Sequence, residues 1–283
     1  SQRVKGAGHH KFLCFEHAFH GRTMGALSCT PKAVYQEPFA PLIPGVEVAP
    51  YNDSKALARV LDRSFAAVIV EVIQGEGGLE AMTPEFARAL NELCAKNDVI
   101  LIADEVQTGL GRTGYLYASE RVGLKPDIVT LAKPLAGGLP LSATLIPPKV
   151  HEIIKAGDHG STFGGGPVTT AVAAKVLDII LEPGFLPEVR RKGDVLKEEL
   201  TNLAREFSCI KGLKGAGMLQ GVALELPDKA VTMANVVTAA QEEGLIILRS
   251  GENVIRIAPP LIIPDSALKE GVTRLSRVLK RFA

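Results

Sequence analysis

Lys133 stands in Leu131-Ala132-Lys133-Pro134-Leu135-Ala136-Gly137-Gly138, directly after the apolar run Ile128-Val129-Thr130-Leu131. An amine that emerges half buried at a strand end is partly desolvated. Desolvation disfavours the ammonium form and leaves a nucleophile able to form a Schiff base. Taken alone, such a residue reads equally as a lysine snorkelling from a strand end. Asp104, 29 residues earlier, closes a second apolar run, Val99-Ile100-Leu101-Ile102-Ala103. A buried strand that ends in an acid reads as a parallel-sheet strand whose carboxyl end faces a crevice, where open α/β sheets bind ligands. By itself an aspartate there is a helix cap or a turn residue. The two together, on strand ends one helix-sized connection apart, can do more.

A lysine that captures an aldehyde and an acid that pairs with a ring nitrogen are what pyridoxal phosphate needs in order to act as an electron sink. The surrounding motifs carry the reading further. Ala103-Asp104-Glu105-Val106-Gln107-Thr108-Gly109-Leu110-Gly111-Arg112-Thr113-Gly114 resembles the signature of the class III (ornithine-type) aminotransferases. Phe19-His20-Gly21-Arg22-Thr23, Gln74-Gly75-Glu76-Gly77-Gly78, His159-Gly160-Ser161-Thr162-Phe163-Gly164-Gly165 and Val254-Ile255-Arg256-Ile257-Ala258-Pro259-Pro260 follow the family's order and span nearly the whole chain. Within the class, Phe-His-Gly-Arg-Thr with Gly25-Ala26-Leu27-Ser28, and Lys-Pro-Leu-Ala-Gly-Gly, are most similar to the acetylornithine aminotransferases.

The resemblance implies a fold-type I α/β transferase, with a mostly parallel central sheet in a large domain and a smaller C-terminal α+β domain. It implies pyridoxal 5'-phosphate as cofactor, held by Lys133, with Asp104 on the ring nitrogen, Gln107 on the phenolic oxygen and Phe19 stacked on the ring. Thr162 is implied to reach a phosphate across a homodimer interface; on its own it reads as an ordinary turn threonine. Arg22 and Arg256 are candidate clamps for substrate carboxylates, because a guanidinium fork matches a carboxylate bidentately. Arg256 lies between Ile255 and Ile257 and therefore needs a partner, which the resemblance gives as Glu76. Glu71 is expected only as a support, and it precedes Val72 where the family usually has proline. His20 and His159 are expected to be structural, since nothing provides metal-ligand spacing.

The implied reaction moves the amino group of N2-acetylornithine to 2-oxoglutarate, as in arginine biosynthesis, giving N-acetylglutamate 5-semialdehyde and glutamate. Ornithine, succinylornithine or 4-aminobutyrate remain alternative donors. A non-catalytic relative serving as a scaffold or regulatory subunit is the alternative of another class. The family's Gly-Thr phosphate loop is expected just before Ser1, so the chain reads as a member lacking the usual N-terminal part.

Composition agrees without deciding. Lysine and arginine total 32 against 31 acids, a net charge of +1, which gives no electrostatic reason to expect nucleic acid or an anionic membrane. Cys14, Cys29, Cys94 and Cys209 lie far apart without CxxC spacing, which suits reduced thiols. A soluble intracellular protein is expected, in the mitochondrial matrix of a eukaryote or the cytoplasm of a bacterium.

The elements that must position these residues are legible as alternating units. Strands are predicted at 12–15, 67–70, 99–102, 128–131 and 143–146, and helices at 54–61, 84–96 and 167–181. Thr83-Pro84 supplies an N-cap followed by proline at the first helical position. Glu182-Pro183-Gly184 breaks the chain, dividing a cofactor-binding domain, 1–184, from a small domain, 185–283. In the latter, an amphipathic helix from Phe185 precedes a strand at 218–226, a helix at 232–243 and strands around Ile246 and Ile255. Gly109-Leu110-Gly111-Arg112-Thr113-Gly114 formally satisfies GxGxxG, but a dinucleotide fingerprint needs glycines that turn straight into a helix. Here Asp104 to Thr108 intervenes and Tyr115-Leu116-Tyr117 follows without helical character.

Overall fold

The computed structural model describes residues 2–282. The chain divides into two compact units. The first comprises Ser1–Val72, Met82–Leu110 and Tyr117–Glu182; the second comprises Ile73–Ala81, Gly111–Leu116 and Pro183–Ala283. The second unit thus reclaims two segments that a single division after residue 184 leaves in the first.

The first unit is built on a six-stranded sheet of order β2-β1-β3-β4-β5-β6. Its strands are β1 Lys11–Phe15, β2 Val46–Ala49, β3 Phe65–Glu71, β4 Ile100–Asp104, β5 Ile128–Leu131 and β6 Ala143–Leu145. All neighbours pair in parallel except β5 and β6. β3 is central, and all but one of its residues are buried, the continuous apolar run expected of a strand covered on both faces. Helix Pro84–Asn97 returns the chain from β3 to β4 and is entered as the sequence predicts: the Thr83 hydroxyl accepts the Phe86 N–H at 3.2 Å, and Pro84 opens the first turn. It buries Phe86, Ala87, Leu90 and Cys94. Those side chains join Leu13, Phe15, Val68, Val70 and Leu101 in the core of this unit.

Beyond β4, Glu105 ties the next turn to the next helix. Its buried carboxylate accepts the Thr108 hydroxyl and, at 2.8 Å, the Ser119 N–H at the start of helix Ala118–Val122. Burial pushes the Glu105 carboxyl above its ordinary range, and these hydrogen bonds offset only part of that.

The second unit carries an antiparallel sheet of order β7-β8-β10-β9. Its strands are β7 Ile210–Ala216, β8 Leu219–Leu224, β9 Leu248–Ser250 and β10 Val254–Ile257. Helices Phe185–Glu206, Met233–Glu242 and Asp265–Lys280 share a core with it, built on Val189, Leu196, Leu200, Val222, Val236, Ile255, Leu275 and Leu279. Of the elements that lie outside those predicted from the sequence, three bear on the two sheets and their cores. β2 has four residues and borders the sheet, too short for alternation to register. β7 contains two glycines and two lysines, so local β preference is weak and pairing with β8 holds it. Helix Asp265–Lys280 has a legible apolar stripe in Leu268, Val272, Leu275 and Leu279. The strand near Ile246 begins only at Leu248.

At one place in this unit two backbones nearly touch. A Cβ on Gly193, inside helix Phe185–Glu206, would lie 2.8 Å from Gly217 Cα, and Gly217 itself holds φ +57° in the β7–β8 turn. In an open helix Gly→Ala stabilises by about 1 kcal/mol. Gly193→Ala is expected instead to destabilise the protein by about 1–3 kcal/mol through overpacking against backbone that cannot yield, read as a lower midpoint of denaturant unfolding. A second expectation concerns Glu105. Because its folded pKa lies above its unfolded one, its contribution favours folding at low pH and declines as pH rises from about 4 through the folded value. Glu105→Gln should therefore gain stability relative to the parent as pH rises across that window, measured as the difference in unfolding free energy between the two proteins; no pH-dependent difference would refute it.

Candidate active site

Strand order 2-1-3 makes the gap between β1 and β3 the point where successive connections leave in opposite directions, and ligands of open α/β sheets gather at the carboxyl ends beside such a gap. The residues that follow β1, β3, β4 and β5 meet this description. Glu71 ends β3 and stands in register with Asp104 at the end of β4, and Asp104 in turn is paired with Thr130 of β5. Lys133 follows three residues after Thr130.

Asp104 is buried, and both its oxygens are engaged. Oδ2 lies 2.8 Å from His20 Nδ1. Oδ1 accepts the Val106 N–H at 3.1 Å and the Thr130 hydroxyl at 3.4 Å. Such bonds offset the desolvation that burial imposes on a carboxylate. His20 is held just as firmly. Its backbone N–H donates to the buried Thr30 hydroxyl at 2.9 Å, while the preceding N–H, of Phe19, donates to Glu71 Oε2 at 2.9 Å. Two buried side chains therefore fix the backbone of Phe19 and His20 above the strand ends.

Phe19 is half buried and meets Tyr35 edge to face, with ring centroids 6.2 Å apart. The Arg22 guanidinium is exposed and lies over the Tyr35 ring, 3.7 Å from its centroid. Such a cation–π contact constrains a long side chain that would otherwise sample many rotamers. Gln107 is half buried in the turn that follows Asp104.

Lys133 corrects an expectation. It is exposed in this chain rather than half buried, because β5 ends at Leu131 and Lys133 already belongs to the following turn. Thr162 lies exposed in the loop that leads to helix Pro167–Ile180, where the Ser161 hydroxyl accepts the Gly164 N–H at 2.9 Å. His159 is exposed in the same loop. His20, expected to be structural, contacts the central acid. Its place beside Phe19 in the motif was a signal; its contact with a residue 84 positions away was not legible.

Glu76 and Arg256 belong to the second unit. Arg256 on β10 places Nη1 2.7 Å from Glu76 Oε1 and 3.1 Å from the Gly75 carbonyl. The loop that presents Glu76 is stitched to the β9–β10 turn: the Ser250 hydroxyl donates to the Gly75 carbonyl at 2.8 Å and accepts the Gly78 N–H at 2.9 Å, and the Gly251 N–H reaches the Glu76 carbonyl at 3.0 Å. The Arg256 side chain is mostly buried and the Glu76 side chain is more than a third exposed, so the arginine is fixed and the carboxylate has room to leave. The neighbouring Arg112, whose burial lowers its pKa, donates to the Met218 and Pro259 carbonyls and so braces the end of β10.

Gly109 to Thr113 are turn and Gly114 is a bend, and helix begins only at Ala118, so the glycines do not feed a helix N-terminus as a dinucleotide site requires. Among the described residues no group of three or more His, Cys, Asp or Glu side chains could hold a metal ion, and no helix is long and apolar enough to cross a membrane. The donor set at the strand ends fits pyridoxal phosphate: an amine, a buried carboxylate with a fixed orientation, an amide and an aromatic ring, carried by loops from the same edge of one sheet.

Residues 1–279 match the family described as Aminotransferase class-III. A probable mitochondrial acetylornithine aminotransferase from Dictyostelium discoideum is 44% identical over 283 residues, covering 98% of this chain and 60% of its own length. The mitochondrial acetylornithine aminotransferase of Alnus glutinosa is 45% identical over 271 residues, 95% of this chain and 59% of that protein. Among solved structures, the ornithine aminotransferase of Toxoplasma gondii superposes with a TM-score of 0.89 at 34% identity, covering 96% of this chain and 65% of the other. The acetylornithine aminotransferase of Elizabethkingia anophelis gives 0.83 at 34% identity, with 100% and 69% covered. The chain therefore spans about three fifths of the length of these first two relatives. On its sequence and its fold, it belongs to the class-III aminotransferase family.

Proposed function

We propose that this chain carries the catalytic core of a pyridoxal-phosphate-dependent transaminase that takes the amino group of N2-acetylornithine and passes it to 2-oxoglutarate. The observation that supports it above others is the buried Asp104 at the end of β4, with Lys133 beyond the end of the strand paired to it. Bound there, pyridoxal phosphate supplies an electron sink that lets an amine-bearing carbon shed its proton.

The chain's own residues divide the remaining work. Lys133 Nζ would hold the cofactor, and its amine would move the substrate's proton as base and then acid. Asp104 keeps a positive charge on the ring nitrogen. Phe19 would pack on the ring, Gln107 would donate to the phenolic oxygen, and Thr162 would bond a phosphate oxygen, the last from a second copy in a homodimer. Arg22 and Arg256 bind substrate carboxylates. Glu76 neutralises Arg256 when the substrate has no second carboxylate and yields to 2-oxoglutarate when one arrives. The acetylornithine donor draws on the names of the two relatives described above. Ornithine is the second donor to compare, because ornithine aminotransferases are among the closely superposing structures.

Titration of the protein with pyridoxal phosphate is expected to produce a visible absorbance band that Lys133→Ala abolishes and N-acetylornithine bleaches. A band bleached only by ornithine would overturn the donor; no band in the parent protein would overturn the cofactor reading for this chain. Arg256→Ala is expected to raise KM for 2-oxoglutarate by about 10- to 100-fold, the worth of a charge-assisted pair, while leaving bleaching by the amino donor nearly unchanged. An equal loss in both half-reactions would contradict the division of roles.

A further inference from the structure

His20 is fixed more thoroughly than a core histidine requires. Its imidazole is almost fully buried, with a side chain only 1% exposed, and Nδ1 donates to Asp104 Oδ2 at 2.8 Å. Its other nitrogen, Nε2, is also buried and has no hydrogen-bond partner. A neutral buried histidine with one idle nitrogen is a poor packing residue, because an apolar side chain of similar size would avoid the desolvation of that atom. Something else selects it.

The groups facing the ring identify what that is. They are Asp104 from β4, Glu71 from the end of β3, and Cys29, the residue that closes the helix Met24–Ser28. Burial is the largest single influence on the imidazole and opposes its charge. The hydrogen bond to Asp104 and the negative field of Glu71, Asp104 and Cys29 together outweigh it, so the ring is pushed above its ordinary value and favours the cation. Glu71 contributes twice, through this field and by accepting the Phe19 N–H that sets the backbone next to His20. The acid at the end of β4 is therefore not gripped by neutral donors alone.

We infer that His20 is a positioning residue: its buried imidazole, donating from Nδ1, locks the Asp104 carboxylate in one orientation so that the acid can meet a cationic ring nitrogen, the feature of the cofactor on which the reading above rests. The geometry explains why a second carboxylate lies so near the first. Glu71 and Asp104 are register partners on adjacent strands, and two acids side by side would repel each other. A histidine bonded to Asp104 and lying in the field of Glu71 eases the conflict. It also assigns a function to Glu71 beyond support of the loop. Truncating Glu71 should weaken the charge on His20 without touching Asp104 directly.

Two measurements test this, and the first needs no cofactor. In histidine-labelled protein free of pyridoxal phosphate, the nuclear magnetic resonance signal that vanishes in His20→Asn should titrate above the ordinary histidine range. It should move down in Asp104→Asn and, by a smaller amount, in Glu71→Gln. A His20 signal that titrates in the ordinary range, or ignores both substitutions, overturns the inference. The second measurement is pyridoxal phosphate affinity and the pH dependence of its visible band. His20→Phe, which keeps a ring and removes the donor, should weaken affinity about tenfold or more, the loss of one charge-assisted hydrogen bond, and shift the pH profile. His20→Asn, which restores a donor near the Nδ1 position, should recover part of the affinity. Unchanged affinity and profile in His20→Phe would show the ring to be packing only. A parent protein that develops no band would defeat the cofactor reading, while the titration would still decide whether His20 and Asp104 are coupled.

Discussion

A carboxylate removed from water must be repaid in hydrogen bonds, and the site end of the first unit is organised around that requirement at Asp104. The backbone of Val106, the hydroxyl of Thr130 and the imidazole of His20 each answer part of it. Each partner then needs its own support. Thr30 and Glu71 hold the Phe19–His20 segment, and Glu105, buried next to Asp104 in sequence, anchors the turn that carries Gln107. One buried charge thus dictates the placement of side chains from three strand ends. The parallel sheet makes that possible, since parallel strands bring all their carboxyl ends to one edge.

The second unit solves a related problem differently. Arg256 is enclosed on a strand between two apolar neighbours, and its partner Glu76 comes from a loop far away in the chain. The arginine is braced by a carbonyl as well as by the carboxylate, while the glutamate keeps more exposure. In a pair so divided, the less buried partner leaves more readily, because it regains hydration that the other cannot.

Much of this was legible in the sequence because it is local. Apolar runs ending in Asp104 and preceding Lys133 mark strand ends, and Thr83-Pro84 marks a helix start; each needs only neighbouring residues. Arg256 between two isoleucines announces a need for a partner without saying where it is. The rest depends on contacts remote in sequence. Nothing near β7 favours a strand except its pairing with β8, and nothing near His20 points to Asp104. Lys133 shows a different error: β5 ends at Leu131 as the apolar run suggests, but the amine two residues further on lies exposed in the following turn rather than half buried.

The loop carrying Glu76 is joined to the β9–β10 turn by bonds between residues 172 and 175 positions apart. Its neighbours Ile73 and Leu79 complete a small core with Leu219 and Val254. During synthesis this loop emerges early and must wait for nearly the whole of the chain before its partners exist. Closing so long a loop costs entropy before any contact rewards it, so the second unit is condemned to high contact order and late consolidation. Cutting the chain before Pro183 would not release that unit intact, since part of its interior is written into the sequence of the other.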